Sequence, residues 1–378
     1  MNSFALFPSR LIPVGLDARG NALASRSPAL DGARGIAALL VFGKHFCTLA
    51  APWTADHGLV RIVSELLDVG SLGVDLFFLL SGYLIYGSLI RHSQPFGSYL
   101  ARRLQRIYPT FLVVFALYAL LMLLLPNHSK IPQTFWPKGA VYLVANLALL
   151  PGVFAIPPLM TVAWSLSFEL AAYLGWPVVI GTLRLRSWSR AARIVLLGLG
   201  SVLILQCAPS QPEQPLIKFG VLLMGGLVWE VTQSPAAPKL PGLGLVGLLA
   251  VVPLTRWLLI TYQVYVVQRW ILLCLVVLLY DLATTPGSVT GRVISSPMLR
   301  RMGLISYSFY LIHGLTLHAV FLGWERLSGG AGNFLSLPGY LLLMIIAGAL
   351  SVAAALVLFL TVEGPYSFSR KSQAVGPG

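Results

Sequence analysis

The chain is patterned as long apolar runs separated by short polar, proline-rich or arginine-bearing stretches. The runs fall near 33–52, 70–90, 107–125, 139–154, 161–183, 191–208, 216–231, 241–260, 267–284, 303–324 and 337–362. They are too long for strands, and most match the roughly 20 residues a helix uses to cross a hydrocarbon core. The fourth is short and weak, bounded by Pro137 and the Pro157–Pro158 pair. The pattern predicts an all-α integral membrane protein.

Basic residues then set an orientation. Arg91, Arg102, Arg103 and Arg106 follow the second run, Arg184, Arg186, Arg190 and Arg193 follow the fifth, and Arg300 and Arg301 precede the tenth. Such clusters stay on the cytosolic side. With a cytosolic N-terminus the third run ends outside near Pro126, so only one of 139–154 and 161–183 crosses back before Arg184. The shorter is assigned as a re-entrant or interfacial segment, because backbone short of spanning length survives only against protein or water. About ten transmembrane helices remain, with both termini cytosolic, and 18 of the 26 Lys and Arg residues then lie on the cytosolic side. The expected organisation is a cytosolic tail (1–29), one membrane domain (30–364) and a second cytosolic tail (365–378). The first tail lacks an apolar core followed by a cleavage site and does not read as a signal peptide.

Composition agrees with this picture. Hydrophobic residues make up 57% and charged residues 10% of the chain, against roughly 25% charged in a soluble domain, and mean hydropathy is +0.82. A net charge of +14 would suggest nucleic acid in a soluble protein. Here the charges lie between apolar runs, where topology explains them, and no nucleic-acid partner is expected. Cys47, Cys207 and Cys274 lie inside apolar segments without short spacings, which indicates neither a disulfide framework nor a zinc site. Trp53, Trp136, Trp257 and Trp324 fall near outer ends and read as interfacial anchors, with stacking on sugar rings as the alternative.

The informative positions are polar residues inside apolar runs, since a charge near the bilayer centre costs from about 2.5 kcal/mol upward. In the first run Arg34 and His45 are eleven residues apart, which places them on one helix face with a rise of about 16 Å. The second run holds Asp75 one turn from its outer end, with Ser81 further along. Arg102, Arg103 and Arg106 have i,i+3 and i,i+4 spacing, so their forks can gather on one side of a helix and match phosphate oxygens. Topology and anionic lipid explain a lone cluster equally. Glu169 lies two turns inside the fifth run, on the face that carries Ser165 and just below Trp164. The tenth run brings Tyr307, Tyr310 and His313, the last two i,i+3 neighbours.

In this order these elements resemble the membrane acyltransferases of family 3, over nearly the whole chain. The resemblance is carried by Arg34 with His45, the GVDLFFLLSG stretch, Arg103 with Arg106 and Pro109, WSLSFE, and SYSFYLIH. It implies a ten-span fold in a bacterial cytoplasmic membrane. That fold takes acyl-CoA, acetyl-CoA by default, from the cytosol and delivers the acyl group to a hydroxyl of a carbohydrate or glycolipid acceptor at or across the membrane. Arg34 and His45 match the pair regarded as essential, Arg103 and Arg106 a motif associated with acyl-CoA, and Trp164 and Glu169 the WSLxxE element. The appended hydrolase-like domain of some members has no counterpart here, which leaves room for an accessory envelope protein.

Acyl transfer from a thioester needs a base, a group that orients it and a path for an anionic donor. His45 is the expected base, as an imidazole with an unperturbed pKa of about 6.5, and Asp75 or Glu169 its orienting carboxylate. Arg34, Arg102, Arg103 and Arg106 are the expected acyl-CoA-binding groups. Ser81, Trp164, Ser165, Tyr307, Tyr310 and His313 support the site, and no metal is expected. Direct transfer and a relay through acylated His45 both remain open. A proton-coupled exporter is the reading from another class, since buried His, Asp and Glu also build proton relays, but it predicts symmetry between halves that the sequence lacks. A His–Asn acyltransferase architecture falls behind, because Asn127, Asn146 and Asn333 lie in loops or the weak segment.

Overall fold

A computed structural model describes residues 27–54, 58–124, 138–207, 215–250, 264–329 and 334–368. Most of the two expected tails, together with Asn127, Trp136, Trp257 and Asn333, lie outside the described residues. The described residues form helices and short connections: α1 (Pro28–Ala50), α2 (Leu59–Asp68), α3 (Leu72–Arg91), α4 (Phe96–Leu124), α5 (Ala140–Leu147), α6 (Trp164–Thr182), α7 (Arg190–Cys207) and α8 (Pro215–Thr232). They continue with α9 (243–250) and with α10 (Val264–Thr284), α11 (Val289–Ile294), α12 (Pro297–Leu304), α13 (Ser306–Ser328), α14 (Leu337–Leu358) and α15 (Gly364–Phe368). A π-turn, Phe359–Glu363, joins the last two.

Six segments among the described residues are long and apolar enough to cross a membrane: Pro28–Trp53, Leu59–Arg91, Phe96–Leu124, Arg190–Cys207, Pro215–Thr232 and Leu337–Tyr366. A seventh is added if α12 and α13, bent by 78° at their junction, are taken as one. This is a multi-pass membrane protein. The weak run 139–154 holds only the eight-residue α5 followed by coil. Asn146 ties that coil down, donating to Pro157 O at 3.3 Å and accepting from Leu159 N at 2.6 Å.

Two features differ from the expectation. The amphipathic α2 forms where no element was anticipated: Leu59, Ile62 and Leu66 stand exposed, Val60 is buried, and Arg61 pairs with Glu65 at 2.8 Å. Trp53, expected at the interface, is instead buried and stacked on Phe321, with ring centroids 5.7 Å apart. The apolar body of the indole gains more from a neighbouring ring in the core than from headgroups.

Helices meet closely where glycine removes the side chain. A Cβ on Gly82 of α3 would lie 2.0 Å from Leu222 O of α8, and one on Gly225 of α8 would lie 2.2 Å from Leu79 O of α3. Equivalent contacts clamp α1: a Cβ on Gly32 would meet Ile294 O at 1.8 Å, and one on Gly303 would meet Asp31 O at 1.8 Å. Small residues permit backbone approach of this kind in membrane bundles. Buried ion pairs add cross-links. Glu230 of α8 is fully buried, pairs with Arg193 of α7 and accepts from Tyr86 Oη of α3 at 2.5 Å. Asp281 of α10, also fully buried, accepts from Gly242 N and Gly244 N at 3.1 and 3.0 Å and so caps α9.

Candidate active site

The bundle has a basic end, where α1, α4, α7 and α13 begin and α3, α6, α8 and α14 finish, and an opposite far end. Between them lies a cavity whose polar lining comes from Arg34 of α1, Ser81 of α3, Ser165 and Glu169 of α6, and Ser306, Tyr307 and Tyr310 of α13. Val74, Phe77, Phe78 and Leu166 form its apolar wall. Six of these seven polar residues are among those singled out from the sequence, and Ser306 is the addition.

The α6–α13 side is cross-braced. Ser165 Oγ and Tyr310 Oη lie 2.7 Å apart, and the Tyr310 hydroxyl is 3.2 Å from Val162 O, to which it donates. Glu169 accepts from Tyr173 Oη one turn below it. Tyr307 Oη donates to Ile107 O of α4 at 2.7 Å and fastens α13 to the helix that carries the arginines.

Those arginines turn to different partners. Arg102 is exposed and donates to Gln94. Arg103 lies over the rings of Tyr99 and Tyr173, 5.4 and 5.2 Å from their centroids. Arg106 faces inward, within electrostatic reach of Tyr173, Glu169, Glu363 and Tyr307. Pro109 lies inside α4, and the helix extends back to Phe96, so the motif is helical throughout.

The two histidines meet beyond the cavity. His45 of α1 faces His313 of α13 with ring centroids 5.3 Å apart and a tilt of 46°. His313 is fully buried, stacks on Phe309 at 5.7 Å, and has Nδ1 3.1 Å from Phe309 O. A carbonyl only accepts, so this contact places the proton on Nδ1 and leaves Nε2 a lone pair. Nε2 has no hydrogen-bond partner among the described residues. The groups that bear on His45 are Lys44, His318 and His313.

Asp75 is placed differently. Its carboxylate pairs with Lys218 of α8 at 2.7 Å, both largely buried, and Lys218 Nζ stands 6.0 Å from the Trp164 ring. Lys218, Glu230, Asp281 and Glu363 are buried charged residues that sequence reasoning passed over. The available signal was their occurrence within or at the edge of an apolar run, as for Asp75 and Glu169. Among the described residues no cluster of three or more His, Cys, Asp or Glu side chains is placed to hold a metal ion.

An acyltransferase domain family matches residues 27–360. The peptidoglycan O-acetyltransferase OatA of Listeria monocytogenes is 26% identical over 323 residues, covering 76% of this chain and 48% of the relative. A putative O-acetyltransferase of Staphylococcus aureus, SACOL0978, is 26% identical over 320 residues, covering 76% and 50%. The acyltransferase MdmB of Streptomyces mycarofaciens is 31% identical over 153 residues, covering 40% and 39%. The chain thus spans half or less of the length of these relatives, and no solved structure matches it significantly. The match of a single family across nearly the whole chain, over the helices that bring Arg34, His45, Glu169 and His313 into the core, means that the chain belongs to acyltransferase family 3.

Proposed function

We propose that this protein transfers an acyl group, acetyl by default, from acyl-CoA to a hydroxyl of a carbohydrate or glycoconjugate acceptor. The observation that carries the reading is the joint lining of one intramembrane cavity by Arg34, Glu169, Ser165 and Tyr310, with the His45–His313 pair further along the same two helices, α1 and α13. In the mechanism His45 takes the proton of the acceptor hydroxyl, the oxygen attacks the thioester carbonyl, and as the C–S bond breaks the His45 imidazolium gives that proton to the departing sulfur, so CoA leaves as the thiol. His313, whose ring centroid lies 5.3 Å from that of His45, orients the base, the role given to Asp75 or Glu169 from the sequence. Arg34, Arg102, Arg103 and Arg106 meet the CoA phosphates, and Glu169, to which Tyr173 donates, lines the cavity wall. The remaining apolar runs complete ten spans with both termini in the cytosol, in a bacterial cytoplasmic membrane. Membrane lipids are the surrounding partners, and an accessory envelope protein can supply the acceptor.

The test is release of CoA thiol from acetyl-CoA by membranes containing the protein, with and without candidate saccharide acceptors, for wild type, His45→Ala and Arg103→Ala. Acceptor-stimulated release that vanishes in the His45 variant is the expected result. Absence of release from any acyl-CoA by folded protein would remove the reading and return weight to an exporter.

A further inference from the structure

Glu363 has no part in the scheme above. It closes the π-turn at the end of α14 and is 6% exposed, and π-turns recur at functional sites. Its Oε2 accepts two hydrogen bonds, from Ser308 N at 3.1 Å and from Ser308 Oγ at 2.6 Å. Ser308 is the third residue of α13, so its amide is one of the donors that a helix start leaves unsatisfied, and the helix dipole favours an anion there. Glu363 is thus a cap supplied by one helix to another, at the base of the helix that carries Ser306, Tyr307, Tyr310 and His313.

Capping alone does not call for a carboxylate. A neutral acceptor satisfies the same two donors without the penalty of several kcal/mol for taking an ion out of water. What the charge has in addition is its place: the π-turn packs against α4, the helix that carries Arg106, and the carboxylate lies within electrostatic reach of Arg106 and of Arg34. Arg34 lines the cavity, and Arg106 comes from α4, so one carboxylate just past α14 addresses α1, α4 and α13 at the basic end.

We propose that Glu363 is a positioning residue for the donor site. One oxygen fixes the start of α13, and the charge holds the Arg34 and Arg106 guanidinium groups at the basic end of the cavity, where the phosphates of acyl-CoA meet them already oriented. The proposal rests on the acyl-CoA reading above.

The test is equilibrium binding of radiolabelled acetyl-CoA to the purified full-length protein in lipid nanodiscs, with a thermal unfolding midpoint for each variant. Glu363→Gln keeps an acceptor oxygen for Ser308 and loses the charge, whereas Ser308→Ala keeps the charge and loses a hydrogen bond. The expected result is affinity weakened about fivefold or more in Glu363→Gln at an unchanged midpoint, with the turnover defect in KM and not in kcat, and wild-type affinity in Ser308→Ala. Glu363→Asp, which retains the charge, should recover most of the affinity and serves if the Gln variant does not fold. Wild-type affinity in Glu363→Gln, tighter binding in it, an equal loss in Ser308→Ala, no recovery in Glu363→Asp, or a loss of kcat at constant KM would each overturn the assignment. Wild-type protein that binds no acetyl-CoA would instead remove the donor reading itself.

Discussion

His313 is held by what surrounds it: a stacked Phe309, a tilted Tyr310 and a carbonyl on Nδ1 leave only the nitrogen on the other side of the ring without a bond. If His45 is the base, His45→Ala should lower turnover about 10²–10⁴-fold, the span that general acid–base catalysis contributes, with donor KM little changed. Steady-state assays in nanodiscs check this. The Asp75–Lys218 pair gives a second prediction. Lys218→Met leaves Asp75 without its partner and should cost about 3 kcal/mol, whereas adding Asp75→Leu should restore most of the unfolding midpoint, because a buried pair replaced by apolar groups is often neutral. If the double variant refolds but does not turn over, Asp75 has work beyond packing. Much of the site was legible at this scale because Ser81, Ser165, Glu169, Tyr307 and Tyr310 are polar residues inside apolar runs, where lipid gives them no neutral explanation, and because Arg34 is spaced to share a helix face with His45. Glu230 and Glu363 were not, because one falls at the second-to-last position of a run and the other one residue past the end of a run, where a carboxylate normally meets water. Only the folded chain shows Ser308 and Arg193 closing over them.

Among the elements, contact is decided by glycines that face backbone. Gly82→Ala should push α3 from α8, since its Cβ would stand 2.0 Å from Leu222 O, and overpacking of this kind costs about 1–3 kcal/mol or more. Gly175 and Gly181 in α6 meet nothing within 4 Å. Alanine there should be neutral or raise stability by roughly 0.5–1 kcal/mol, because a helical glycine is entropically costly. Unfolding midpoints of the three variants, compared in one detergent, check the contrast. The same backbone contacts explain what periodicity missed. An apolar run predicts that a helix crosses, but α12 meets α13 at a sharp corner, and Gly35 and Gly303 let α12 lie against α1 there. α2 escaped notice because ten residues with alternating Arg61, Glu65 and Asp68 fall below any spanning window.

For the whole molecule, the chain's direction through the bundle assigns each connection to one of two faces. In a cysteine-free background, Ser93→Cys between α3 and α4 should react with a membrane-impermeant maleimide only when the cytosolic face is accessible. Leu327→Cys, 84% exposed at the far end of α13, should react only from the other side. Labelling of both from the same face would break the proposed topology. The all-helical membrane architecture was legible because composition leaves so few charged residues. The relative placement of helices was not, since α3 packs mainly on α8, about 140 residues away in the chain, through contacts between backbones that no side-chain pattern announces.

The clamp on α1 also acts as a ruler. Gly32 and Gly35 of α1 lie against the Ile294 and Leu299 carbonyls, so the helix cannot slide along its axis without collision, and Arg34 and His45 are held at fixed depths about 16 Å apart. Any donor anchored at the first and reacting at the second is therefore measured for length before its chemistry matters. Inserting one alanine between them would swing His45 by about 100° and deepen it by about 1.5 Å, whereas inserting four would return it to nearly the same bearing about 6 Å too far along. Both enzymes would keep every side chain of the site, and the second would separate reach from orientation.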